Sequence, residues 1–237
     1  MTAPTSARVA DGTAPDSAAP DSAAPLSAAL RAGTRDEHAA AERSPFVQHL
    51  VDGTLPLAGY ADLAAQQLAV YRALEAAGDR LVAAGDHGDL VFPELVRVPA
   101  IEADLAHLLG DGWRDRVRVL PATAAYVARL HLVADDLPRY AAHAYTRYLG
   151  DLSGGQVLKR LLERHHGLDG AGVSFYDFPQ IHRLKPFKDV YRERLDALEL
   201  TPAQRDAVVA EARVAFTLNR GVFADLAAAH LVRTSSA

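Results

Sequence analysis

The stretch Tyr145-Thr-Arg-Tyr-Leu-Gly-Asp-Leu-Ser-Gly-Gly-Gln156 puts Gly150, Gly154 and Gly155 into a segment that otherwise reads as helix. Each glycine costs a helix about 0.8–1 kcal/mol relative to alanine, so the trio costs on the order of 3 kcal/mol. Two readings offset that cost. One is a helix break and turn. The other is a flat ligand pressed on the backbone, where Cβ atoms would collide. Asp151, inside the glycine run, adds a polar group able to face the same ligand. Other glycine chemistries do not fit. The spacing is not G-x-G-x-x-G, no Lys-Ser/Thr follows as a phosphate loop needs, and Ser153 is not in G-x-S-x-G.

Two further clusters carry chemistry-bearing types. Arg31, Thr34, Arg35, His38 and Glu42 fall at i, i+3, i+4, i+7 and i+11 of the first expected helix, so they share one face. A neutral imidazole is a common metal ligand, and a carboxylate one turn away can fix its tautomer. Taken alone, a solvated helix face accounts for the same residues. In His182–Arg194, Lys188 and Arg192 stand four apart with Tyr191 beside them. Such a pair can clamp carboxylates by charge-assisted hydrogen bonds, although an ordinary basic surface has the same pattern. Glu163 and His166 form one Glu-x-x-His, and a carboxylate-bridged di-iron bundle needs two.

The elements that must position these residues are helices. The chain has 237 residues, with 49% hydrophobic and 23% charged residues, a globular composition. Asp+Glu 30 against Lys+Arg 25 leaves a net charge of -5, so no global field attracts nucleic acid. Cys 0 excludes disulfides, thiolate metal sites and a cysteine nucleophile. No apolar run approaches the roughly 20 residues of a membrane span. Residues 1–25, with the tandem PDSAA unit, are too poor in large apolar side chains to offset their ordering entropy, and read as a disordered Ala/Pro/Ser-rich tail. Residues 26–237 read as one all-α domain. Helices are expected over Leu26–Arg43 with Ser27 as a possible cap, Leu57–Ala84, Ala100–Leu109, Pro121–Val133, about Asp135 to His166, Lys185–Leu198 and Thr201–Leu231. SFYDFPQ at 174–180 reads as loop or extended chain, and no βαβ alternation appears.

Together the three clusters resemble heme oxygenase, the biliverdin-forming family. AHAYTRYLGDLSGGQVLKR at 142–160 is similar to its distal-helix signature, and TRDEHAAAE at 34–42 to its proximal-histidine segment. FKDVYRERLDALELTP at 187–202 and AFTLNRGVF at 215–223 resemble later family segments. The resemblance implies a compact multi-helix fold with heme between a proximal and a kinked distal helix. It implies His38 as axial ligand of the iron of heme b, with Glu42 near that ligand. Gly150 and Gly154 match the glycines that lie against the heme face. Asp151 matches the carboxylate that organises a distal water network, with Arg147, Tyr71 and Tyr126 as polar members. Phe216 and Asn219 match pocket residues on a late helix. Lys188 and Arg192 match the propionate-binding pair, with Tyr191 in the same motif and Tyr145 among the heme-contacting residues. Arg31 stands where the family usually has Lys near one propionate, which keeps the charge and alters the geometry.

The function so implied is oxidative cleavage of heme at the α-meso carbon to biliverdin, carbon monoxide and ferrous iron. Heme is substrate and cofactor at once, O2 the co-substrate, and a ferredoxin or a flavoprotein reductase the electron donor. Mammalian members end in an apolar membrane anchor. This chain ends HLVRTSSA and resembles a soluble, cytoplasmic, bacterial-type member without nucleic-acid or membrane partners. A non-catalytic heme carrier on the same fold is the alternative; Asp151 beside an open glycine face favours the enzyme, because storage needs no proton relay. A thiaminase-like helical protein would need the cysteine that this chain lacks.

Overall fold

Proline and glycine punctuate the chain where helices begin and end, and no strand is found among the described residues, 24–87 and 89–231 of a computed structural model. The expected tail therefore lies almost wholly outside the described residues. The helices are α1 (Leu26–Gly33), α2 (Arg35–Glu42), α3 (Pro45–Val51), α4 (Leu57–Ala84), α5 (Val98–Leu109), α6 (Trp113–Arg116), α7 (Pro121–Leu132), α8 (Leu137–Gly150), α9 (Gln156–His166), α10 (Leu184–Asp196) and α11 (Pro202–His230). The two longest, α4 and α11, each reach about 42–44 Å at 1.5 Å per residue. Pro56 precedes α4, and Gly85 stops it in the left-handed conformation at φ 72°. Thr201 and Gln204 form a reciprocal capping box at the start of α11, with Pro202 at the first helical position.

Helix α11 is the strut of the molecule. It packs on α8 and α7, and α1, α2 and α3 lie across its other side. Small buried residues permit the close approach: Ala212 and Ala215 on α11, and Ala141, Ala142 and Ala144 on α8. Phe46 of α3 stacks on Phe223 of α11 at 6.0 Å. The first expected helix is in fact two. A Cβ on Gly33 would come within 2.5 Å of Val209 Cγ1 on α11, so only glycine lets α1 lie this close. The chain then bends at Thr34, whose φ is -117° and ψ 10°. Ser27 caps nothing; its backbone N–H and hydroxyl donate to the Asp196 carboxylate at 2.7 and 2.8 Å, tying α1 to α10.

The long helix expected from Asp135 to His166 is also interrupted. After α8, capped by the Asp136 side chain, Asp151–Gly155 form a π-helical turn before α9 continues. A π-turn widens the helix and redirects its axis, and recurs at functional sites. The segment 174–178 braces this turn from below. Buried Arg97 donates to the carbonyls of Phe175 (3.2 Å) and Asp177. Buried Asp104 accepts from Ser174 N at 2.8 Å and Phe175 N at 2.7 Å. Gln156 Nε2, one residue past the turn, donates to Tyr176 O at 2.8 Å. What reads as loop or extended chain is therefore an ordered one-turn 3-10 helix, Ser174–Tyr176, tied through the backbone of this segment to three side chains: Arg97 just before α5, Asp104 on α5 and Gln156 on α9.

Candidate functional site

Helix α2 presents His38. The imidazole is solvent-accessible, with 56% of the side chain exposed. Its ring meets the Phe216 ring edge-on at 5.7 Å and 66°. Nδ1 lies 3.6 Å from Glu42 Oε2, one turn on, so the two residues share a face within α2 itself. Arg213 ties both α1 and α2 to α11: its Nε donates to Gly33 O at 2.6 Å and stands 3.6 Å from Glu37 Oε1. Arg31 sits on the preceding helix, across the bend at Thr34, so the single five-residue face expected from spacing is split between two axes.

One turn beyond Phe216, Asn219 Oδ1 accepts from Arg147 Nη1 of α8 at 2.8 Å. The same stretch of α11 thus touches both the histidine helix and the glycine helix, and sets their separation. On the glycine helix, a Cβ at Gly150 or Gly154 would meet nothing within 4 Å. Their neighbour Gly155 faces the other way, where a Cβ would come within 2.9 Å of Tyr176 Cδ1. The trio is therefore of two kinds. Gly155 is required by packing, whereas Gly150 and Gly154 border open space and answer no steric demand of the protein itself.

Beneath the open glycines lies a buried polar cluster. Asp151 is 8% exposed and accepts a hydrogen bond from the Tyr71 hydroxyl. Burial pushes the Asp151 carboxyl up to about 6, against the opposing pull of Arg147, the Tyr71 hydrogen bond and Arg97. A carboxyl so placed exchanges its proton near neutrality. The Arg147 guanidinium lies over the Tyr71 ring at 4.9 Å. Tyr126 is fully buried, and burial pushes its hydroxyl up to about 12. Behind it, His143 Nδ1 stands 3.4 Å from Tyr126 Oη and its Nε2 2.9 Å from Glu211 Oε1. Burial alone would raise Glu211, but hydrogen bonds from Arg129 and His143 outweigh it and hold the carboxyl at about 2. The spacing of these residues in sequence shows no sign of this buried acid–imidazole pair, since His143 and Glu211 meet only through α8–α11 packing.

Cations gather at the rim. Lys188 Nζ donates to Ser153 Oγ at 3.0 Å and lies 3.4 Å from Leu152 O, on the π-turn. Arg192 Nη1 donates to Asp189 Oδ1 at 2.9 Å. Burial raises the Tyr145 hydroxyl, and the charges of Arg192 and Arg31 oppose that rise. Tyr191 does not join them. It is fully buried, stacked on Phe92 at 5.3 Å, because its position on α10 turns inward where Lys188 and Arg192 turn outward. Its ring is a core residue and not a rim contact.

An all-α frame that sets one accessible histidine and a glycine-lined π-turn on a common strut is a fold arranged to take a flat ring. A family model described as heme oxygenase matches residues 24–225. Heme oxygenase 1 of Homo sapiens is 40% identical over 202 residues, which are 84% of this chain and 70% of the human protein. Heme oxygenase 1 of Synechocystis is 37% identical over 201 residues, 83% of this chain and 82% of that one. The crystal structure of Synechocystis heme oxygenase-1 in complex with heme superposes with a TM-score of 0.82 at 36% identity, covering 86% of this chain and 93% of that chain. The heme oxygenase of Leptospira interrogans gives 0.77 at 37% identity, covering 84% and 98%. The chain belongs to the heme oxygenase family.

Proposed function

We propose that this protein is a heme oxygenase that cleaves heme b at the α-meso carbon to biliverdin, carbon monoxide and ferrous iron. The observation that carries the reading is Asp151: a buried carboxyl near neutrality, hydrogen-bonded to Tyr71, directly beneath two glycines that border open space. A heme carrier has no use for a buried acid that costs stability. The residues present fit the ring. Gly150 and Gly154 leave the room a face needs, the His38 imidazole is accessible, and buried Arg147 Nε has no hydrogen-bond partner among the described residues, as a pocket lined for solvent or ligand would have it.

Heme, when bound, supplies both the iron that activates O2 and the ring that is oxidised. The protein supplies placement and protons. His38 would hold the iron from α2, with Glu42 one turn away to bias its tautomer. Glycine at 150 and 154 keeps side chains off the opposite face. Asp151 exchanges a proton within reach of Tyr71 and Arg147, Asn219 steadies Arg147 by accepting from it, and Tyr126 belongs to the same buried cluster. Lys188, Arg192, Arg31 and Tyr145 form the rim that would receive the anionic propionates and fix which ring edge faces Asp151.

Residues 26–237 form the functional domain in this reading. Electrons come from a separate ferredoxin or flavoprotein reductase, and the site of action is the cytoplasm. Among the described residues no helix is long and apolar enough to cross a membrane. Aerobic incubation with heme and a reductase system is the test. Bilin absorption with carbon monoxide release is the expected result, and heme bands that persist unchanged would leave the carrier reading instead.

A further inference from the structure

Ser153 lies outside any hydrolase motif, and the reading above leaves it unused. It stands exposed on the π-turn, between buried Leu152 and open Gly154. Hydroxyls within this protein's helices bond back to the preceding turn: Thr146 and Thr217 donate to the carbonyls of Ala142 and Arg213 at 2.8 and 2.9 Å. Ser153 instead reaches outward. Its Oγ accepts from Lys188 Nζ at 3.0 Å, and the same ammonium lies 3.4 Å from Leu152 O. An ammonium only donates, so the Ser153 hydroxyl proton is left for another acceptor, and no protein acceptor for it is found among the described residues. The cations of α10 are not equivalent. Asp189 gives one carboxylate oxygen to Lys185 at 3.0 Å and the other to Arg192 at 2.9 Å. Lys188 forms no ion pair with a carboxylate among the described residues. Two neutral oxygens therefore hold an uncompensated positive charge on the glycine turn, with one of its three N–H donors still free.

We propose that Ser153 is a positioning residue for the anionic edge of the ring: it holds the Lys188 ammonium against the π-turn, and the pair receives one carboxylate jointly, Lys188 with its charge and Ser153 with its hydroxyl proton. The proposal rests on the reading that Lys188 faces a heme propionate. It adds that the cation is placed by the glycine turn and not by α10 alone. A free lysine side chain samples many rotamers, and holding it beforehand removes an ordering cost from binding. The residues that border the open glycines thus also set where the ring's charge must lie.

The test is equilibrium binding by the full chain, followed by absorbance without a reductase. Ferric heme is compared with its dimethyl ester, which keeps the ring and the iron and lacks both carboxylates. Wild type should bind the diacid more tightly than the ester. Ser153→Ala should reduce that preference about two- to tenfold, the scale of one hydrogen bond, and leave ester binding unchanged. Ser153→Thr keeps a hydroxyl and should keep the preference. In a Lys188→Ala background, Ser153→Ala should lose most of its effect, because the cation it places is gone. A preference that Ser153→Ala leaves unmoved, an equal fall in diacid and ester binding, or a full effect without Lys188 each overturns the proposal while the rim reading of Lys188 stands. A wild type without any preference for the diacid defeats the rim reading and the proposal together. No readout depends on turnover, so a protein that binds heme without cleaving it would defeat the heme oxygenase reading alone.

Discussion

Replacing Asp151 by asparagine should make the heme-free protein more stable at neutral pH while disabling it. Burial lifts this carboxyl from 3.8 to about 6, even with Arg147, Tyr71 and Arg97 pulling it down. A difference of about two pH units between folded and unfolded chain corresponds to about 3 kcal/mol. The sign follows from proton counting. Between about pH 4 and pH 6 the folded protein binds the proton that the unfolded chain has released, so stability falls as pH rises through that window. Above it the whole penalty of a buried carboxylate is present. The asparagine amide cannot ionise, fills nearly the same volume and still accepts from the Tyr71 hydroxyl. Urea unfolding followed by circular dichroism should therefore show Asp151→Asn and wild type alike near pH 4, and the variant more stable by up to about 3 kcal/mol at pH 8. With heme and a reductase the variant should bind heme and turn over about 100-fold or more slowly, the scale of a lost general acid. A variant less stable than wild type at pH 8, or a stability difference that does not grow between pH 4 and pH 7, refutes the assignment of Asp151 as a strained functional acid.

His38→Ala should lose the histidine-ligated heme spectrum, and added imidazole should restore part of it; an unchanged spectrum would move the ligand to another histidine. Gly154→Leu should leave the heme-free protein as stable as wild type or about 0.8–1 kcal/mol more so, since a Cβ there meets nothing within 4 Å and leucine is the better helix former, while heme binding and turnover fall. Normal turnover by that variant would return the glycine to the role of a simple helix breaker. Lys188→Ala combined with Arg192→Ala should still bind heme through His38 but release a mixture of biliverdin isomers, because each charge-assisted hydrogen bond contributes roughly 1.5–3 kcal/mol to ring orientation. Chromatography of the extracted bilins decides it, and a single α isomer from the double variant would assign both cations to the solvated surface.

Much of the fold was legible from local chemistry. Pro56 and Gly85 bound α4, and Thr201 with Pro202 opens α11, because capping and proline geometry act within four residues of the chain. The glycine run announced something unusual, and its resemblance to a known signature named the pocket. What sequence spacing could not separate was Gly155 from Gly150 and Gly154: only the packed Tyr176 ring shows that one glycine is structural and the other two open. The same limit explains the bend at Thr34, beside the point where Gly33 lies against Val209, and Ser27, which turned from a cap into a tether for Asp196. It explains Tyr191, which shares a motif with Lys188 and Arg192 and yet goes into the core, because helix phase and not motif membership decides which way a side chain points. Arg97, Asp104, His143, Glu211 and Tyr176 gave no signal at all. The partners of the first four lie about 70 to 80 residues away along the chain and those of Tyr176 about 20, and a buried polar group takes its meaning from whichever donor or acceptor the tertiary packing brings to it.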